Sequence, residues 1–267
     1  MRTQEKSPKI LLGFDIEEFD LPVEYGCQIP FDQQIKFSKE GTIRLLLVLK
    51  KHGIHATFFC TANFVEYAPE ILHQIVADGH EVASHGYYHS KFEDVDYADS
   101  KRKIEEIGGV KVSGFRMARM QKVNFNLLKN AGYVYDSSLN PTFIPGRYNH
   151  FRRSRLIFEK ANGIIECPSV VTPFLRIPLF WLCFHNFCLW FYLWLFGITL
   201  QHDGYAVLYF HPWEFINLKQ SKQWNIPFYI KKHSGEKMEE RLDKFISHYI
   251  SKGVLFERLD EFLAKRH

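Results

Sequence analysis

PEILHQIVADGHEVASH, residues 69–85, writes a whole helix-to-strand unit in one short stretch. Pro69 suits the first turn of a helix, where a missing N–H is no loss, and Gly79 ends that helix after Asp78. Residues 81–84 then read as a short strand that delivers His85. The same alternation runs outward in both directions. Upstream, residues 9–14 read as a strand and 42–52 as a helix, with Ile43, Leu46, Leu47 and Lys50 at helical spacing before Gly53; residues 56–60 read as a second strand. Downstream, strands are expected at 114–117, 133–136, 164–167, 206–210 and 254–256, with a helix over 236–251 closing the arrangement. Strands alternating with helices predict an α/β fold with a mostly parallel sheet, and about seven such units predict a barrel.

At 267 residues the chain suits a single α/β domain spanning 1–267, with an aromatic-rich insertion at about 174–200. Hydrophobic residues at 46% and charged residues at 24% are ordinary for a folded protein, whereas aromatics at 16% are plentiful. A net charge of +4 is too small and dispersed to argue for a nucleic-acid partner. Residues 1–9 are polar and lack the charged-then-apolar layout of a secretory signal, so a cytoplasmic location is expected. Cys27, Cys60, Cys167, Cys183 and Cys188 are odd in number and contain no C-x2-C pair. That pattern speaks against a disulfide framework or a cysteine zinc site, and for buried thiols.

Asp15, His85, Arg116, Asp136 and His211 each fall at or just after the carboxyl end of an expected strand, the rim where barrel active sites gather. His85 and His89 are four apart, which on a helical turn puts both imidazoles on one face, able to grip one cation. Alone, the pair is as readily two ordinary histidines in a chain that has 13. Asp15-Ile16-Glu17-Glu18 adds carboxylates directly after an apolar strand. A His, His, carboxylate set leaves positions open on a divalent ion for water and a substrate oxygen.

Five ordered stretches resemble the motifs of the polysaccharide deacetylases, also called the NodB-homology or carbohydrate esterase 4 family. They are Asp15-Ile16-Glu17, Ser84-His85-Gly86-Tyr87-Tyr88-His89-Ser90, Gly114-Phe115-Arg116, Tyr135-Asp136-Ser137-Ser138, and Leu208-Tyr209-Phe210-His211-Pro212-Trp213. The resemblance implies a distorted (β/α)7-type barrel. It also implies Asp15 as general base, Arg116 as the group that holds it, and His211 as general acid with Asp136 tuning it. Glu17, His85 and His89 become ligands of a divalent metal, zinc first, with cobalt, nickel or manganese as alternatives. Two departures stand out. Ile16 occupies a position where many members have a second aspartate, which passes the ligand role to Glu17. Asp15 and Glu17 still share one side of an extended strand, and D-x-E spacing is typical of a branch acting on cell-envelope glycans. Arg116-Met117-Ala118 lacks the usual proline of the third motif.

The implied activity is removal of an N-acyl group, acetyl first, from an amino sugar of a poly- or oligosaccharide. The rivals are a deformylase or other small C–N amide hydrolase on the same site, and an inactive glycan- or membrane-binding barrel. IPLFWLCFHNFCLWFYLWLFGITL, residues 177–200, has the length and apolarity of a membrane span. A single crossing would put His211 across the bilayer from Asp15 and His85. The segment is therefore expected as a buried helix pair bent near His185 and Asn186, a re-entrant or interfacial element, or a partner-binding surface. Trp181, Trp190, Tyr192 and Trp194 suit a lipid headgroup boundary, and Arg147, Arg152, Arg153 and Arg155 suit phosphates. The expected partners are thus an N-acylated glycan, in one version on a polyprenyl phosphate carrier, and the inner face of the cell membrane, touched peripherally through 177–200.

Overall fold

KILLGFDI, strand β1 (Lys9–Ile16), is buried along almost its whole length, as a strand must be when it has neighbours on both edges and packed layers on both faces. The computed structural model describes residues 7–219 and 224–266, so the reading of residues 1–6 as carrying no signal lies outside it. The other strands are β2 (Thr57–Cys60), β3 (Glu81–Ser84), β4 (Gly114–Phe115), β5 (Tyr135–Asp136), β6 (Phe143–Ile144), β7 (Tyr148–Asn149), β8 (Phe158–Glu159), β9 (Ile165–Glu166), β10 (Tyr205–Phe210) and β11 (Leu255–Phe256). The main sheet runs β10-β1-β2-β3-β4-β5-β9-β8, with β11 added beside β1 and β6-β7 forming a separate hairpin. Only β8 is antiparallel in it. The strands from β10 through β9 are seven parallel ones and β11 is an eighth, each where a strand was expected. Past β9 the chain reaches β10, where the Val170 N–H donates to the Val207 carbonyl at 2.8 Å. The sheet is thereby curled into a half-barrel, with no strand ladder closing it among the described residues.

Alternation along the strands sorts the core into an inside and an outside. Leu11, Phe59, Ala83, Tyr135 and Val207 pack with Leu259, Phe262 and Leu263. The last three belong to the helix Leu259–Ala264. This short helix plugs the amino end of the barrel: the Leu259 and Asp260 amides donate to Thr57 Oγ1 (3.0 Å) and Glu81 Oε2 (3.1 Å). The closing role expected of residues 236–251 therefore belongs to it. The helix Glu236–Ile250 instead packs outside, against the helix Phe31–His52.

Phe31–His52 begins well before the expected residue 42; residues 31–40 are mostly polar, with only Ile35 and Ser38 buried, too few to show a period in the sequence. Its inner face is Ser38, Thr42, Leu45, Leu46 and Leu49, while Ile43 and Leu47 (62% exposed) point outward. Gly41 is where the helix backbone meets the chain just after β10: a Cβ there would lie 2.0 Å from the Pro212 carbonyl oxygen. Gly41→Ala is expected to destabilise the protein by about 1–3 kcal/mol, as overpacking does, and to disturb His211 next door. A lower urea midpoint with lowered activity is the expected result.

Residues 177–200 form the helices Trp181–Asn186 and Leu189–Asp203, bent between them as expected. Among the described residues no helix is long and apolar enough to cross a membrane. Cys60 and Cys167 are buried and Cys27 and Cys183 partly so, but Cys188, at the bend, is exposed, against expectation.

Candidate active site

β1 brings Gly13, Asp15 and, one step past its end, Glu17 to the barrel interior. Gly13 is small for a reason: a Cβ there would stand 3.0 Å from Arg116 Nη1. The buried Arg116 guanidinium crosses this gap and donates from Nη1 to Asp15 Oδ1 at 2.6 Å. It is fixed by Nε to the Ser137 carbonyl (3.0 Å), by Nη2 to Ser137 Oγ (2.9 Å), and by lying 3.9 Å over the Phe59 ring. The Met117 amide, next along the chain, donates to Ser138 Oγ at 2.8 Å. The two serines of the fourth motif thus buttress the third. Burial pushes the Asp15 carboxyl up, but Arg116, with His85 and His211, outweighs it and holds the group below its ordinary range.

Glu17, His85 and His89 present ligand atoms that all lie within 4.8 Å of one another. Residues 85–89 are not helical, contrary to the simplest reading of their spacing; Gly86, at φ +87°, turns the chain. Both imidazoles are oriented from behind: His85 Nδ1 meets the Arg116 carbonyl (2.8 Å) and His89 Nδ1 meets Asp20 Oδ1 (2.7 Å). Because those partners only accept, each Nδ1 carries the proton and each Nε2 presents a lone pair. The two Nε2 atoms stand 3.3 and 3.0 Å from Glu17 Oε2. That oxygen is buried without a hydrogen-bond partner, while Oε1 accepts from the Trp213 indole at 3.2 Å.

Three electron-pair donors converging on one buried point repel one another unless a cation joins them, so these residues fit a divalent ion. Burial pushes the Glu17 carboxyl up to about 8, against the pull of His89. Burial lowers His85, whereas in His89 the same effect is outweighed by Glu17 and Asp20, which raise it. Protons compete here with any metal, and metal occupancy is expected to fall on acidification, as atomic absorption after dialysis at stepped pH would show.

His211 follows β10 with Nε2 3.9 Å from Asp15 Oδ2. Its ring stacks on Trp213 (4.8 Å) and meets the edge of Trp181 (5.4 Å). Its Nδ1 lies 2.9 Å from Glu214 Oε1, which also accepts from the His211 amide (2.7 Å). Glu214 is fully buried, and Oε2 lies 2.9 Å from His185 Nε2. Asp136 does not tune His211. It accepts from Ser138 Oγ (2.5 Å) and faces Glu166 across the β5–β9 ladder. Burial lifts both carboxyls above their ordinary range, and in Glu166 the neighbouring Asp136 charge adds to it.

Asp15, Glu17, His85, His89 and His211 line one cavity with Arg119, Arg147, Tyr148, Trp181 and Trp213. Arg116 lies beneath it, and Asp136 does not line it. Asp20 and Glu214 escaped the sequence reading, although each stands three residues beyond a motif residue, as a local hydrogen-bond partner often does, whereas Trp213 was quoted as the end of the fifth motif without a role at Glu17. Arg119 and Met120 hold φ of +56° and +51° at the rim, backbone strain of the kind found at functional sites. Arg119 donates to Asp20 Oδ2 at 2.7 Å, completing the chain of contacts behind His89.

The polysaccharide deacetylase family model matches residues 26–134. That span contains His85, His89 and Arg116 and leaves Asp15, Glu17 and His211 outside. A peptidoglycan deacetylase of Helicobacter pylori is 32% identical over 146 residues, 51% of this chain and 48% of that protein. An uncharacterized protein of Geobacillus stearothermophilus is 33% identical over 66 residues, 25% of each. These matches take in about half, or less, of the curated relatives' length. A putative polysaccharide deacetylase from Mycobacterium smegmatis has a TM-score of 0.69 at 19% identity, over 98% of this chain and 91% of that one. At that identity the likeness is one of fold.

Proposed function

We propose that this chain is a metal-dependent hydrolase removing an N-acyl group, acetyl first, from an amino sugar of a cell-envelope poly- or oligosaccharide, a reading supported by the match of residues 26–134 to the polysaccharide deacetylase family model. The observation that carries this reading is the convergence of Glu17, His85 and His89 on one point beside the Asp15 and His211 pair. A divalent ion held by those ligands, zinc first, would polarise the amide carbonyl and acidify a water, whose pKa falls from about 15.7 toward ~7 in favourable sites.

The chain's own groups do the rest. Asp15, kept ionised by Arg116, takes the proton of the attacking water, whose oxygen bonds to the amide carbon. His211 gives its Nε2 proton to the departing nitrogen as the C–N bond breaks, leaving a carboxylate and a free amine. Glu214, accepting from Nδ1–H, stabilises the imidazolium that must exist for that donation. Trp213 ties down Glu17 Oε1 and leaves Oε2 for the ion. Arg147 at the cavity wall supports the finer reading of a glycan still on a polyprenyl phosphate carrier, since a guanidinium pairs readily with phosphate.

The test is release of acetate, with formate assayed in parallel, from N-acylated glycans by metal-loaded protein. Formate without acetate would make it a deformylase; no metal uptake after reconstitution would sink the mechanism. Glu214→Gln is expected to lower kcat about tenfold to a hundredfold with little change in KM, less than the ~10²–10⁴-fold of removing His211 itself.

A further inference from the structure

We propose that the outer face of the aromatic helix pair is a docking surface for an anionic lipid bilayer, an inference that stands on this surface and not on the hydrolase reading. The helix Leu189–Asp203 carries no Lys, Arg, Asp or Glu before Asp203. Its inner side is accounted for: Tyr192 and Phe196 pack against Phe245 and Tyr249 of the helix Glu236–Ile250. Its outer side is not. Trp190 (70% exposed), Trp194 and Ile198 recur every fourth residue as one stripe in water. The stripe continues through His202, whose ring meets Phe174 at 6.2 Å. Phe174 (84% exposed) and Leu175 stand at the tip of a loop.

The border of this face is cationic. Arg176 lies 5.8 Å from the ring of the exposed Phe151, and the exposed Arg152 and Arg153 follow directly. Asp203 is neutralised, its Oδ1 accepting from Arg155 at 2.6 Å. A helix apolar all round belongs in a core or in lipid, and a contiguous exposed apolar patch marks a partner. Indole rings rimmed by guanidinium groups match the headgroup region of an anionic leaflet, with the rings at the acyl boundary and the cations on phosphate. A symmetric pairing of two copies through this face would set the cationic border against itself. The preceding helix carries Trp181, which walls the candidate site and meets His211. Docking through the outer side would thus hold the site's wall beside the membrane surface.

The experiment is flotation with phosphatidylcholine vesicles, with and without phosphatidylglycerol. The wild-type chain is expected to float with the anionic vesicles, less so at high salt, with a blue shift of tryptophan emission. Arg152→Glu with Arg153→Glu should weaken that binding about thirtyfold or more, given the usual worth of basic residues at such a surface. Trp190→Ser with Trp194→Ser should weaken it at least about tenfold and remove the blue shift. Both pairs are exposed, so unchanged thermal unfolding of each variant is the control for folding. Failure of the wild type to float, or equal flotation of both variants, overturns the proposal. So does a dimer in sedimentation velocity that the tryptophan changes dissociate while no vesicle binds, which would assign the face to a second copy.

Discussion

Arg116→Met is expected to lower the stability of the fold by about 3–5 kcal/mol, the usual cost of removing one partner of a buried ion pair, and to reduce kcat/KM by at least ~10²-fold. The guanidinium is fully buried, and its loss leaves Asp15 ionised in the interior without its cation. It also strips the Ser137 carbonyl and Oγ of their donors. Against a total stability of about 5–15 kcal/mol, typical of domains, such a loss is large. The pH behaviour separates this account from mere loss of packing. Asp15 has a lowered carboxyl pKa in the fold. Its stabilising contribution is therefore fully present above the unfolded value of about 3.9 and is lost as pH falls through the lower folded value. In the variant, only His85 and His211 still oppose burial, the Asp15 pKa rises, and the acid limb of the kcat/KM profile moves to higher pH. Urea midpoints from pH 7 downward, beside that profile, make the measurement; a variant matching the wild type in both would refute the role given to Arg116.

The rim residues were legible because strand alternation and chain order suffice for them. Asp15, His85, Arg116 and His211 each stand at the end of a strand-length run, and a period of two carries Glu17 to the side of Asp15. Their supports were not legible, because tertiary contact chooses them. Glu214 reaches His211 only through the tight turn Pro212–Phe215, and Asp20 is placed on His89 by the fold of residues 85–89. Asp136 looked like a partner for His211 because it ends a strand on the same rim. The sheet order puts β9 beside β5, and Asp136 faces Glu166 instead. Ile43 and Leu47 misled for a related reason: the helix packs through Gly41, Thr42 and Leu45, where small residues admit the Pro212 backbone. A hydrophobicity pattern does not score closeness of approach.

Glu17→Gln should abolish stoichiometric metal binding and deacetylation, yet leave the metal-free protein at least as stable as the metal-free wild type above the ordinary carboxylate range. Both halves follow from one burial. Glu17 is 4% exposed, with Oε2 lacking a hydrogen-bond donor, and its carboxyl pKa is raised to about 8. A carboxyl whose folded pKa exceeds its unfolded value of about 4.3 contributes stability only below that value, and the contribution is lost as pH rises toward 8. The amide cannot ionise and escapes that loss. A divalent ion reverses the order, because it binds the folded wild type and stabilises it by RT ln(1 + [L]/Kd), while the variant has lost the anionic ligand. Thermal melts with zinc and with a chelator should therefore cross: zinc raises the wild-type midpoint above the variant's, and the chelator brings it level or below. If the chelated wild type still melts well above Glu17→Gln, the Glu17 charge is satisfied by the protein itself, and the three convergent donors are structural rather than a metal site.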